Sequence, residues 1–228
     1  GLGVKGTVVV EASAWLDDNQ WVLDVAAANP VIVGLVGHLD PGKPEFRHHL
    51  ARFAKNPLYR GIRLNEKAIA AGLGDKDFLQ DMKRLADAGL VLDAIGVASM
   101  FPDLSKLAKR VSGLRIVIDH LPFYPQPGLQ EMAAFPQIYA KVSGVLRKVG
   151  DKVPADLASY KPGLDEVWKV FGPDRLIYAS NWPVSNRLAP YGTVLAVVRE
   201  YFATKGADAS DKYFWKNSLA AYQWVDRG

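Results

Sequence analysis

Leu114-Arg115-Ile116-Val117-Ile118-Asp119-His120-Leu121-Pro122 carries the pattern that repeats along the whole chain. Apolar, mostly β-branched residues run through Ile118 without polar alternation, as in a strand covered on both faces, and then give way to a carboxylate and an imidazole. The same signature recurs in Thr7–Val10, 31–36, 59–64, 89–95, Ile138–Val142 and 175–179, so seven buried parallel strands are read, 114–118 among them. Their starts lie about 24 to 37 residues apart, the length of one βα unit. This spacing predicts a TIM-type (β/α)8 barrel in preference to an open doubly wound sheet.

Between the strands lie helical stripes: Trp21, Val22, Val25 and Ala26; Phe78, Leu79, Met82, Leu85 and Ala86; Leu164, Val167, Trp168 and Phe171. Asp75 is read as an N-cap, Gly89 as the glycine just past a helix end, and Gly172-Pro173 as a sharp stop. Two closing helices, about 189–205 and 210–225, are expected to clad the barrel. A barrel ordinarily takes roughly 250 residues, and this chain of 228 opens almost directly on a strand. The expectation is therefore one barrel domain over 1–228, incomplete at its N-terminus and short of one strand.

Composition narrows the function. An apolar fraction of 49% with 23% charged residues excludes a disordered chain. The longest uncharged apolar stretches fall far short of the roughly 20 residues that cross a bilayer, and no signal peptide is read. A water-soluble chain, cytoplasmic by default, is expected. Zero cysteines removes disulfides, thiolate metal sites and cysteine nucleophiles. The net charge of +4 comes from 28 basic residues dispersed among 24 acidic ones, which argues against a nucleic-acid partner. A small-molecule substrate is expected, with homo-oligomer formation left open.

In a barrel, the loops after the strands form the active-site mouth. Here the strands are entered through Gly or Pro and exit into Glu11, His38 with Asp40, Arg63, Asp93, Asp119 with His120, Lys141 with Ser143, and Asn181. Polar strand ends also arise wherever a strand meets water, so the set weighs more than its members. His120 has the chemistry of a metal ligand or proton shuttle, and equally of a hydrogen-bonded structural histidine. Arg63 needs an anion, either a substrate carboxylate or a structural partner such as Glu11 or Asp93. Lys141 poses the same choice between substrate and salt bridge. His48 and His49 are adjacent on a helix-like stretch, point about 100° apart and read as surface.

Gly1-Leu2-Gly3-Val4-Lys5-Gly6 spells GxGxxG, but it precedes a strand instead of joining one to a helix, so it is not a phosphate cradle. No P-loop, HExxH or GxSxG occurs, which argues against a serine hydrolase.

Several blocks together resemble the amidohydrolase-related family, the branch of the amidohydrolase superfamily with sugar lactonases, dicarboxylate lactonases and decarboxylases. They are Thr7-Val8-Val9-Val10-Glu11-Ala12, Val33-Gly34-Leu35-Val36-Gly37, Arg60-Gly61-Ile62-Arg63, Val117-Ile118-Asp119-His120-Leu121 and Tyr139-Ala140-Lys141-Val142-Ser143-Gly144. The most specific block is Phe171-Gly172-Pro173-Asp174-Arg175-Leu176-Ile177-Tyr178-Ala179-Ser180-Asn181-Trp182-Pro183-Val184, and Asn217 to Tyr222 is similar to the family's last helix. The resemblance implies a distorted TIM barrel whose mouth holds a divalent metal, zinc or manganese, that activates water against a carbonyl. His120 matches the family's metal or proton-transfer histidine. Asn181 stands where many relatives carry a metal-binding aspartate, and an amide does not accept water's proton at neutral pH.

No HxH pair, which supplies two imidazoles in the family, occurs in these residues. A catalytic zinc ordinarily takes three protein ligands, so the chain as it stands is expected to bind metal poorly. The resulting expectation is a metal-assisted hydrolase opening a small anionic lactone. Arg63, Lys141, Ser143 and Trp182 are its substrate-binding residues, His120 and Asn181 its metal and catalytic residues, and Glu11 or Asp93 the base that Asn181 cannot be. A decarboxylase on the same scaffold, or a non-catalytic binding barrel or inactive fragment, is the alternative.

Overall fold

The computed structural model describes residues 2–121 and 127–228. Gly1 of the glycine-rich start and Pro122 at the close of the 114–122 stretch lie outside the described residues. Seven strands alternate with helices: β1 (Thr7–Val10), β2 (Ile32–Gly37), β3 (Tyr59–Asn65), β4 (Val91–Ile95), β5 (Arg115–Leu121), β6 (Ile138–Val142) and β7 (Leu176–Tyr178). All neighbours pair in parallel, and their spatial order follows the chain from β1 to β7. Unreversed order separates this sheet from a doubly wound one, in which the order turns back at a switch point. The sheet is an incomplete TIM-type barrel with β1 and β7 as its edges.

The helices are α1 (Leu16–Ala28), α2 (Phe46–Phe53), α3 (Glu66–Gly72), α4 (Lys76–Asp87), α5 (Phe101–Arg110), α6 (Lys161–Phe171), α7 (Tyr191–Ala203), α8 (Ala207–Asp211) and α9 (Asn217–Tyr222). Asp75 caps α4 by accepting from the Asp77 amide at 2.8 Å, and Gly89 follows its end at φ +69°. The single closing helix expected over 210–225 is instead α8, a π-turn at Lys212–Lys216, and α9. The π-turn sits amid an aromatic cluster in which Phe202 and Tyr213 stack at 3.6 Å. Tyr213 there donates to the Val142 carbonyl at 3.1 Å. Trp224 falls beyond the last helical turn.

Two apolar layers hold the structure. The larger lies between strands and helices, and a smaller one fills the inside of the curl with Val36, Val91, Val117 and Ile177 against Ala221 and Tyr222 of α9. The C-terminal helix thus plugs the end where the strands begin. Arg115 Nε donates to the Ala221 carbonyl at 2.7 Å and Arg60 Nη1 to that of Gln223 at 3.0 Å, so guanidiniums from two strand starts satisfy carbonyls at the end of α9. Among the described residues no helix is long and apolar enough to cross a membrane.

Candidate active site

At the end opposite this plug the charged strand exits converge. β5 departs from its register with β6 between Ile118 and Leu121, and this irregularity carries Asp119 and His120 out of the regular ladder. His120 has φ +64° and Asn181 φ +53°. Left-handed backbone is uncommon for non-glycine residues and costs on the order of 1–3 kcal/mol, a strain that gathers at functional sites. Asparagine tolerates it better than histidine.

His120, Asn181 and Arg63 line one cavity of about 430 Å³, whose other walls are mostly apolar, including Ile95, Val97, Met100, Phe101 and Val184. His120 Nδ1 and Ser143 Oγ are hydrogen-bonded at 2.8 Å, which fixes the imidazole by a fully buried hydroxyl. Burial lowers the His120 pKa; Lys141 and Arg63 push it the same way, and Asp119 opposes them. The ring is thereby kept neutral near pH 7.

Arg63 is shared between two carboxylates. Its Nε donates to Glu11 Oε1 at 2.9 Å, its Nη2 donates to the Glu11 carbonyl, and its Nη1 lies 3.6 Å from Asp119 Oδ2. Lys141 is buried and pairs with Asp93 and, at 2.8 Å, with Asp119 Oδ1. Tyr222 completes this network by donating to Asp93 Oδ1 at 2.9 Å. Burial raises the Asp93 pKa to about 6 against the pull of Lys141. Burial would lower the Lys141 ammonium, but Asp119 and Asp93 outweigh it and hold its pKa well above the usual lysine value.

The two cations that made an anionic substrate the expectation are therefore both committed to carboxylates. Lys141, Asp93 and Ser143 are not among the side chains lining this cavity, and Trp182 is 61% exposed outside it. Glu11 instead borders an adjoining cavity of about 530 Å³, which shares Arg63 and Ile95 with the first. Sequence reading passed over Asn19, a buried α1 side chain whose Oδ1 accepts from the His38 amide at 2.9 Å and whose Nδ2 donates to the His38 carbonyl at 2.8 Å. The neighbouring Gly37 leaves room for this clamp, since a Cβ there would stand 2.0 Å from Asn19 Oδ1.

Among the described residues no group of three His, Cys, Asp or Glu side chains is placed to hold a metal ion. Among the described residues His120 is the one strong metal donor lining this cavity; Asn181 offers a neutral amide, and Glu11 and Asp119 already neutralise cations. The described residues therefore do not fit a catalytic zinc site, which takes three protein ligands.

Residues 1–224 match the amidohydrolase family, and the chain belongs to it. It is 32% identical over 245 residues to an L-fucono-1,5-lactonase of Burkholderia ambifaria, covering 99% of this chain and 82% of that protein. It is 25% identical over 234 residues to an L-fucono-1,5-lactonase of Burkholderia multivorans, covering 94% and 79%. An amidohydrolase of Burkholderia multivorans crystallised with bound zinc has the same fold, with a TM-score of 0.85 at 23% identity over 97% of this chain and 84% of that one. The chain is a hydrolase of this family.

Proposed function

We infer that this hydrolase opens a small lactone by water attack at the cavity walled by His120, Arg63 and Asn181. The observation carrying the reading is that these three residues, from the ends of β5, β3 and β7, meet at one cavity. The two lactonase relatives support the choice of a cyclic ester. In this reading Nδ1–H donates to Ser143 Oγ, the tautomer that puts the His120 lone pair on Nε2. That nitrogen takes a proton from water as the water oxygen bonds to the lactone carbonyl carbon. The Asn181 amide donates to the oxygen on which negative charge develops, and Arg63 adds positive potential from the wall while held by Glu11 and Asp119. When the tetrahedral species collapses, the ring C–O bond breaks and His120 returns the proton to the departing alkoxide, giving an open-chain hydroxy acid.

The reading is tested with a pH-indicator assay across a lactone panel, in which ring opening releases acid. Acid release from at least one lactone, lost with His120→Ala, is the expected result. Carbon dioxide release from a carboxylated aromatic, with every lactone inert, would favour the decarboxylase reading instead.

A further inference from the structure

The cavity beside the His120 site has a different character. It is bordered by His38, Asp40 and Lys43 after β2, by Asp75 ahead of α4, and by the Glu11–Arg63 pair that separates it from the first. Its charged lining is three carboxylates against two cations, so an anionic substituent meets an excess of like charge. Glu11 and Arg63 neutralise each other, which leaves Asp40, Asp75, Lys43 and the His38 imidazole to face an occupant, with Asp75 Oδ1 already accepting from the Asp77 amide. Such a mixture of acceptors and donors suits hydroxyl groups, which both donate and accept.

His38 is the built element of this lobe. Its main-chain N–H and C=O are both held by the buried Asn19 amide, and its ring is 18% exposed with Nε2 3.2 Å from Asp40 Oδ1. The fold therefore uses the backbone of His38 and leaves its ring at the cavity wall. We propose that the His38–Asp40 lobe is a specificity subsite that binds the hydroxyl-bearing part of an uncharged polyhydroxylated lactone, while the ester carbonyl lies in the neighbouring lobe at His120. The choice of ring rests on the lactonase reading; the choice of substituent rests on this lobe's lining.

The test is calorimetric binding of non-hydrolysable lactams to the whole chain. The probes are δ-valerolactam, a polyhydroxylated sugar lactam of the same ring size, and 6-oxopiperidine-2-carboxylate. The wild-type chain should prefer the sugar lactam over δ-valerolactam by about tenfold or more, the worth of one or two hydrogen bonds. His38→Ala should erase most of that preference, and His38→Gln, which sets an amide near the place of Nε2, should restore part of it. Unchanged preference in His38→Ala with an unchanged circular dichroism spectrum would overturn the proposal. So would tightest binding of the carboxylated lactam, or binding of none of the three. Lactone turnover is measured separately: a chain that keeps the His38-dependent preference but turns over no lactone refutes the lactonase reading and leaves the subsite intact.

Discussion

The Arg63 guanidinium is gripped by Glu11 on one strand end and by Asp119 on another, so its charge ties β1 to β5 across the mouth. Sequence alone left two readings for it, a substrate anion or a structural partner, and named Glu11 and Asp93 as partners. The structure supplies Glu11 and puts Asp119 where Asp93 was considered. Asp93 belongs to Lys141 and Tyr222 instead. Removing Arg63 leaves the almost fully buried Asp119 carboxylate with Lys141 alone and strips Glu11 of its partner. Arg63→Ala should therefore destabilise the fold by about 3 kcal/mol, the order found when one partner of a buried pair is deleted. A denaturant titration checks this; an unchanged midpoint would show that the pair holds nothing together. Which carboxylate meets which cation depends on barrel curvature and side-chain reach. A list of strand-end residues contains neither, so the cluster was legible and its pairing was not.

At the level of elements, all seven strands were legible, because parallel strands covered on both faces write themselves as short apolar runs bounded by turns. The caps at Asp75 and Gly89 were legible for a similar local reason. The closing segment was read as one helix, since apolar spacing near 3.6 residues is scarcely disturbed by the one extra residue of a π-turn. That extra residue matters to the packing that follows, where α9 delivers Tyr222 into the inside of the curl. The Asn19 clamp on His38 was illegible for another reason: a buried asparagine on a helix looks like any polar helical position until its backbone partner is known. Tyr222→Phe keeps the ring and deletes only the hydroxyl that satisfies Asp93. An unpartnered buried oxygen costs about 1–3 kcal/mol, so thermal unfolding should shift downward by that equivalent. A Tyr222→Phe protein as stable as its parent would mean that the Tyr222 hydroxyl adds nothing to the hold of the plug.

For the molecule as a whole, the chain divides its labour between two ends. Guanidiniums from strand starts bind the carbonyls of the C-terminal plug, while strand exits gather ionisable side chains around two joined cavities. This asymmetry was readable from the sequence as Gly and Pro entries against charged exits. The sequence also led to an anionic substrate while leaving Arg63 and Lys141 each open to a substrate anion or a structural partner, and both are ion-paired to carboxylates within the protein. In the proposed mechanism a neutral, half-buried His120, held at positive φ, takes the proton of the attacking water. Its pKa is lowered from the ordinary histidine value, first by burial. The base form therefore persists to lower pH than a free imidazole, and activity should fall only as pH drops through that depressed value. The direct measurement is kcat/KM against pH on the best lactone, for the parent and for His120→Gln. The prediction is an acid limb with an apparent pKa below about 6.5, and a loss of about 100-fold or more in the variant at neutral pH. A parent profile flat through the acid range, or a His120→Gln protein of undiminished activity, would contradict it.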